Sequence, residues 1–353
     1  MSTSSIVKML ETCSSITQCH SAKQEVLLLT TTNTNTPFEE SLQKNNRNII
    51  VRKYKSTATY WNLQGTLNIE NPPTLKDRES RAYTIARSVF NDSKIVIPEV
   101  LHVDDKDNAV VFEYVGSSSS YFVGGDFDDS MVRNMIKTRL EFGFDEPHPR
   151  HGRVPAEQCL EYAKSVVRDI VVPIHKAKLN LGSYELEMFG AVKTFGGMLR
   201  LYEEQFTKLE GVGDEVMDMI EILKKNIRDV EAGCVGPTLV HGDLQPQNLM
   251  FRKGEGEGEE IDIACLLDWE DAAIADGRFE VLLIARKLVA NVAQAKVVWS
   301  YYKELMGAVV AIDIGEIDDW LKLESLHSIC TFMLQGDSSD KLGNELKRMR
   351  SMM

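Results

Sequence analysis

Short apolar runs that favour β-branched residues dominate the first third of the chain. Glu25–Thr30 (EVLLLT), Asn48–Tyr54 (NIIVRKY), Ile95–Val103 (interrupted by Pro98) and Ala109–Val115 (AVVFEYV) read as strands, and Asp105–Asn108 (DKDN) supplies a hairpin turn between the last two. Two helices are predicted in the same region. One covers residues 5–20, with Ile6, Leu10, Cys13 and Ile16 on one stripe. The other covers Leu75–Phe90, with Leu75, Ala82, Ile85, Ala86 and Val89 on one stripe and Thr74 as N-cap. Beyond Gly116 the period changes from two to 3.6. Helices are predicted over Pro155–Lys178 with a kink or stop at Pro173, over Glu215–Val230, over Phe279–Met306 and over Ile317–Met333. Strands at Thr238–Phe251 and Ile261–Trp269 interrupt this helical stretch, separated by the exposed tip GEGEGEE, Gly254–Glu260. The pattern is α+β: after the N-terminal helix, a small strand-rich unit with one helix, then a larger, mainly helical unit with a hairpin in its middle.

Composition narrows the picture modestly. The 353 residues carry 40 Lys plus Arg against 53 Asp plus Glu, a formal net charge of −13, with 43% hydrophobic and 26% charged residues. This is a globular rather than a disordered composition, and the length suits two lobes. The acidic balance argues against nucleic acid as a partner, because phosphate backbones need a basic face. No run approaches the roughly 18 apolar residues of a membrane span. The most apolar helical stretch, Phe279–Tyr302, contains Arg286, Lys287 and Lys296. The N-terminus carries Glu11 and lacks an apolar core before a small-residue cleavage site, so no secretory signal is expected. Cys13, Cys19, Cys159, Cys234, Cys265 and Cys330 are scattered, which reads as reduced thiols in a cytoplasmic protein. Cys13, Cys19 and His20 have no second ligand pair nearby and are not read as a zinc site.

The candidate chemistry is concentrated in HGDLQPQN, His241–Asn248, and in Asp268 of LLDWE. Asp243 and Asn248 lie five residues apart, and Asp268 follows across a hairpin. This resembles the catalytic loop and metal turn of the kinase fold. Gly242 after the histidine and Trp269-Glu270 after the later aspartate resemble the aminoglycoside phosphotransferase and choline kinase family rather than protein kinases. The resemblance implies a two-lobed protein kinase-like fold, with a β-rich N-lobe and a mainly helical C-lobe. It implies Asp243 as the carboxylate facing the acceptor hydroxyl, and Asn248 and Asp268 as oxygen ligands to magnesium. Phosphoryl transfer needs positioning and charge neutralisation more than covalent help, and such a set supplies both.

The strand-rich unit has the matching parts. A basic side chain on a strand and a glutamate on a helix are needed to hold the α/β-phosphates; Arg52 or Lys53 is the candidate clamp, with Lys53 favoured, and Glu79 its partner. Strand alternation places Arg52 and Lys53 on opposite faces. Glu113, Tyr114 and Val115 correspond to the segment that receives adenine. Two departures stand out. The turn expected over the phosphates, Thr30–Phe38 (TTTNTNTPF), contains no glycine, and none precedes Gly65. The family's G-D-P-x-x-D turn appears as ADGRFE, in which Asp276 and Glu280 keep the acidic character that would brace the catalytic loop. Ile174-His175 resembles the family's Leu-His pair, although a helix-end histidine is ordinarily a packed side chain. Gln245 and Glu270 lie beside the metal and acceptor positions.

The implied organisation is an N-terminal helix or extension over 1–24, an N-lobe over 25–115, and a C-lobe over 116–353. The C-lobe holds the catalytic loop 241–248, the metal turn 268–270 and a helical acceptor insert at about 124–236. The implied activity is ATP- and magnesium-dependent phosphorylation of a hydroxyl on a small molecule, without membrane or nucleic-acid partners. The Gly-free turn motivates an alternative, a pseudokinase that binds nucleotide or a partner without transfer. The acceptor (aminoglycoside, choline-like, sugar or amino acid) and the oligomeric state are left open by the residues. The loop Asp145–Pro155, with His148, Arg150, His151 and Arg153, reads as an exposed connection.

Overall fold

The structure, a computed structural model, describes residues 13–20, 24–31, 48–54, 75–113, 115, 156–177, 179, 188–189, 194–232, 237–244, 248–253, 261–289, 292–307, 314–334 and 340–352. The 254–260 tip, the 145–155 loop, all but the first two residues of the Thr30–Phe38 turn, and the greater part of the first half of the acceptor insert lie outside them. The chain forms two compact units. The first comprises Met1–Tyr60, Asn68–Val123 and Leu249–Glu270; the second comprises Trp61–Leu67, Gly124–Asn248 and Asp271–Met353.

The first unit is built on an antiparallel sheet of β1 (Cys13–His20), β2 (Gln24–Thr31), β3 (Asn48–Tyr54), β4 (Val100–Asp104) and β5 (Ala109–Glu113), in the order β1-β2-β3-β5-β4. Cys13–His20 is therefore a strand and not the helix its apolar stripe predicts. Ser14, Ser15, Ile16 and Thr17 are poor helix formers, and the segment pairs with β2 from Cys13↔Thr31 to His20↔Glu25. In β3, Arg52 lies opposite Val26 on one side and Val110 on the other. Helix α1 (Leu75–Val89) buries Glu79, Ala82, Tyr83 and Ala86, which recur at helical spacing. Asn108 takes a left-handed conformation, φ 47°, in the β4–β5 turn, and its side chain donates to Tyr54 O at 2.8 Å. The hairpin of β7 (Leu249–Lys253) and β8 (Ile261–Leu266) is tied to this unit by Leu266 N, which donates to Val96 O at 3.2 Å.

The second unit is mainly helical: α2 (Ala156–Val166), α3 (Val172–Lys176), α4 (Phe195–Phe206), α5 (Asp214–Ala232), α6 (Arg278–Leu288), α7 (Val292–Leu305), α8 (Ile314–Leu334) and α9 (Asp340–Ser351). A two-stranded ladder of β6 (Pro237–Val240) and β9 (Ala273–Asp276) interrupts the helices. Between α2 and α3, Val167–Val171 widens to a π-helix, and Val172 N–H reaches Val167 O. This is how the chain accommodates Pro173, which has no N–H and would crowd the carbonyl four residues back. The predicted Phe279–Met306 helix is two helices, because Val289 is extended (φ −107°, ψ 159°) and ends α6. The core centres on Trp320, whose ring meets Phe195 at 5.1 Å and both Phe279 and Trp299 at 6.3 Å; the Arg278 guanidinium lies over the same ring at 5.2 Å. Cys265 and Cys330 are buried free thiols. Among the described residues, no helix is long and apolar enough to cross a membrane.

Candidate active site

In the first unit the arginine of β3 is the residue that meets the helix glutamate. Period-two alternation turns Arg52 and Tyr54 toward α1, where Glu79 and Tyr83 lie one helical turn apart on the facing surface. Arg52 Nη1 donates to Glu79 Oε1 at 2.5 Å and to Asp268 Oδ1 at 2.8 Å. Tyr54 Oη donates to the other oxygen of Glu79. One guanidinium is thus held between the helix carboxylate and the carboxylate of the turn after β8, with its plane near the Phe112 ring. Lys53 is half-buried, and Arg52 is the member of the pair brought against Glu79 and Asp268.

Burial sets the electrostatics. Desolvation drives the fully buried Glu79 carboxyl up from 4.5 to about 7; Arg52 and the Tyr54 hydroxyl pull it down, and Asp268 and Glu270 add to the rise. Burial opposes the charge on Arg52, but Glu79, Tyr83 and Asp268 outweigh it and hold the guanidinium well above its ordinary value. Arg78, one residue before Glu79, is pushed down to about 10 by burial.

Asp268 has φ 65°, a left-handed conformation in a residue other than glycine. Its N–H donates to Tyr83 Oη at 2.8 Å. Trp269 and Glu270 open a 3₁₀ turn directly after it, and both are buried.

In the second unit, HGDLQPQN leads out of β6. His241 is wholly buried, and its N–H and that of Gly242 donate to the two carboxylate oxygens of Glu280, at 2.6 and 3.2 Å. Glu280 lies in the first turn of α6, a favourable place for an anion. Of the two acids expected to brace the loop, Glu280 makes the contact. Asp276 instead forms a buried pair with Arg278, at 2.7 Å from Nη2. Asp243 N donates to His241 Nδ1 at 3.3 Å, and Asn248 Nδ2 donates to Asp243 O at 2.8 Å and to Asp243 Oδ2 at 3.0 Å. The amide nitrogen of Asn248 is spent on Asp243, which leaves Oδ1 as the donor atom for a hard cation. Behind Glu280, His175 Nδ1 pairs with Tyr302 Oη at 2.9 Å, and its Nε2 lies 3.9 Å from Glu280 Oε2. Burial lowers His175 to about 3, so its imidazole is neutral. It is a packed structural residue.

Gly242 explains why this chain has glycine after the loop histidine. Its φ is 82°, and a Cβ there would lie 2.3 Å from Asp271 O, a backbone atom. Gly242→Ala is expected to cost more than about 1 kcal/mol from the left-handed conformation alone, with the clash added. Urea unfolding measures this, and an unchanged midpoint would refute the packing account.

Glu113 ends β5; its N–H donates to Glu99 O at 2.9 Å, and its carboxylate lies 3.9 Å from Arg87. Val115 is half-exposed. Tyr114 and Gln245 fall outside the described residues. Tyr54 and Tyr83 are additions to the residues picked out by motif. Tyr83 follows Glu79 by one helical turn and Tyr54 follows Arg52 by two strand positions, so their spacing carried the signal.

Three solved structures share this architecture. The ternary complex of streptomycin, ATP and APH(2")-IIa aligns with 98% of this chain and 95% of its own, at 13% identity and a TM-score of 0.56. The GDP complex of wild-type aminoglycoside 2'-phosphotransferase-IIIa aligns with 98% and 97%, at 12% identity and a TM-score of 0.55. A choline/ethanolamine kinase family protein from Mesorhizobium loti aligns with 93% and 84%, at 13% identity and a TM-score of 0.53. The fold is protein kinase-like. Residues 178–306 of this kinase-like chain match the phosphotransferase enzyme family, a segment that contains the His241–Asn248 loop and the Asp268 turn. No curated protein matches the chain by sequence. The neighbours, at 12–13% identity, show the fold, and the family match points to phosphoryl transfer.

Proposed function

We propose that the chain is an ATP- and magnesium-dependent phosphotransferase that acts on a hydroxyl of a small molecule in the cytoplasm. The observation that carries this reading is Arg52, a cation fixed between Glu79 of α1 and Asp268 of the turn after β8. A cation shared between a helix glutamate and a half-exposed turn aspartate suits a phosphate clamp beside a metal ligand.

The remaining roles follow from chemistry. Arg52 holds the α/β-phosphates, with Glu79 as its positioning partner. Asn248, through Oδ1, and Asp268, through its carboxylate, are the oxygen donors assigned to magnesium. Magnesium keeps several waters and needs few protein ligands, so one amide oxygen and one carboxylate are a sufficient protein contribution. When bound, magnesium neutralises charge on the phosphates being parted. Asp243 orients the acceptor hydroxyl and accepts its proton. Glu113, Tyr114 and Val115 are assigned to adenine. Neighbours that act on aminoglycosides or belong to the choline/ethanolamine kinases suggest a hydroxyl-bearing, cationic acceptor, which fits the net charge of −13.

A thermal-shift titration with ATP, with and without magnesium, tests the nucleotide. A ligand at about a hundredfold over Kd adds about 2.7 kcal/mol to stability, enough for a clear rise in melting point. An ATP-consumption screen over aminoglycosides, amino alcohols, sugars and hydroxyl-bearing amino acids then tests transfer. No shift with ATP under either condition would overturn the reading. A shift without turnover on any acceptor would favour the pseudokinase alternative, for which the Gly-free Thr30–Phe38 turn is the motive.

A further inference from the structure

Asp268 is held in an unusual backbone conformation by a side chain that no motif singles out. Its φ of 65° is left-handed, its N–H points at Tyr83 Oη, and the N···O distance is 2.8 Å. Tyr83 is buried, at 2% exposure, and its ring packs against Phe112 (centroids 4.7 Å apart) and edge-on against Trp269 (6.5 Å). The hydroxyl is therefore held in place by ring packing before any ligand arrives. The same helix face carries Glu79 one turn earlier, and Arg52 joins Glu79 to the Asp268 carboxylate. The turn aspartate is gripped twice from α1: at its backbone by Tyr83, and at its side chain through Arg52.

We infer that Tyr83 is a positioning residue for Asp268, whose hydroxyl fixes the backbone of the turn so that the carboxylate is presented in one orientation to a nucleotide-bound divalent cation. The consequence for metal binding rests on the phosphotransferase reading; the grip itself does not. A residue with positive φ holds that conformation only where its surroundings over-determine it, and the Tyr83 bond is such a constraint. Without it the amide must find water or another acceptor, and Asp268 gains access to the ordinary conformations that aim its carboxylate elsewhere. The Tyr83 Oη accepts from the Asp268 N–H through an oxygen lone pair and keeps its own hydroxyl hydrogen.

Tyr83→Phe removes one oxygen and keeps the ring against Phe112 and Trp269. Tyr54→Phe is the matched comparison: it removes the buried hydroxyl on the other side of the same network, which bonds Glu79 and not the Asp268 amide. Amide hydrogen exchange, followed by NMR or on a peptide spanning 266–272, reads the grip in the ligand-free chain. Exchange at Asp268 should accelerate about tenfold or more in Tyr83→Phe and change less than about twofold in Tyr54→Phe. Calorimetry with ATP in EDTA and with ATP plus magnesium reads the consequence. Tyr83→Phe should bind metal-free ATP within about twofold of wild type and lose about three- to tenfold of the tightening that magnesium gives. Unchanged exchange at Asp268, equal acceleration in both variants, or a magnesium effect as large as in wild type would each overturn the positioning role. A wild-type chain that binds no ATP at all is a different result: it overturns the phosphotransferase reading, while the exchange measurement still decides the grip.

Discussion

Asp243→Ala is expected to lower phosphoryl transfer by about 10²- to 10⁴-fold while leaving ATP affinity and melting temperature close to wild type. Asp243 is half-exposed, so truncation opens no buried cavity. The loop keeps its anchors, because Glu280 holds the N–H groups of His241 and Gly242, and Asn248 Nδ2 still has the backbone carbonyl of residue 243 to bond. What disappears is the carboxylate assigned to the acceptor hydroxyl and its proton, together with one of the two acceptors of Asn248. Asp243→Asn separates the two losses. It keeps an oxygen for Asn248 but cannot accept a proton as a base, so it should be nearly as inactive as the alanine variant. Steady-state assay with the acceptor found by the ATP-consumption screen, alongside calorimetric ATP binding, measures both. Wild-type turnover in either variant would remove Asp243 from the chemistry.

Much of this arrangement is legible in the sequence, and the rest is hidden for definable reasons. The spacing of His241, Asp243, Asn248 and Asp268 marks one loop and one turn in the sequence, and the structure pairs Asn248 with Asp243 in the loop and gives Asp268 a left-handed backbone in the turn. Helix α5 is legible because Val216, Met219, Ile220, Leu223 and Val230 form one buried stripe. Residues 13–20 mislead because Cys13 and Ile16 continue a helical stripe from Ile6 and Leu10, and that stripe is outweighed by pairing with β2, a tertiary fact that no local stripe carries. Val167–Val171 is hidden because Pro173 predicts a disturbance without its form, and a π turn settles it without ending the helical path. The choice between Arg52 and Lys53 turns on which face of β3 meets α1. Alternation makes the two exclusive, but only the packing of the sheet against the helix says which face that is. Gly242 looks like a family substitution in sequence and becomes a steric requirement once Asp271 O is seen beside it.

Glu79→Gln has the second large expected effect, and its sign differs between stability and function. In the folded chain the Glu79 carboxyl sits at about 7, against 4.5 ordinarily. The folded state therefore holds this proton more tightly than the unfolded state does. The associated stability is fully present below about pH 4.5 and is lost as pH rises through about 7, a swing of roughly 3 kcal/mol. In metal-free buffer, wild-type stability should therefore carry a component that falls between pH 5 and 8. Glutamine mimics the protonated acid and can still accept from Tyr54, so this component should be missing from Glu79→Gln. The variant should also match or exceed the wild type in stability at pH 8. Function moves the other way. Arg52 loses its charged partner on α1 and keeps Asp268, so the guanidinium should shift toward that turn and compete for the carboxylate assigned to magnesium. A displacement of about 1 Å at a phosphate clamp can cost about 10²-fold in rate, and transfer by Glu79→Gln should fall by about 10- to 100-fold. Urea unfolding from pH 5 to 8 and turnover at pH 8 measure the two effects. A variant that keeps the wild-type pH slope of stability would show that Glu79 is not the buried acid responsible, and full turnover would show that Arg52 needs no partner on the helix.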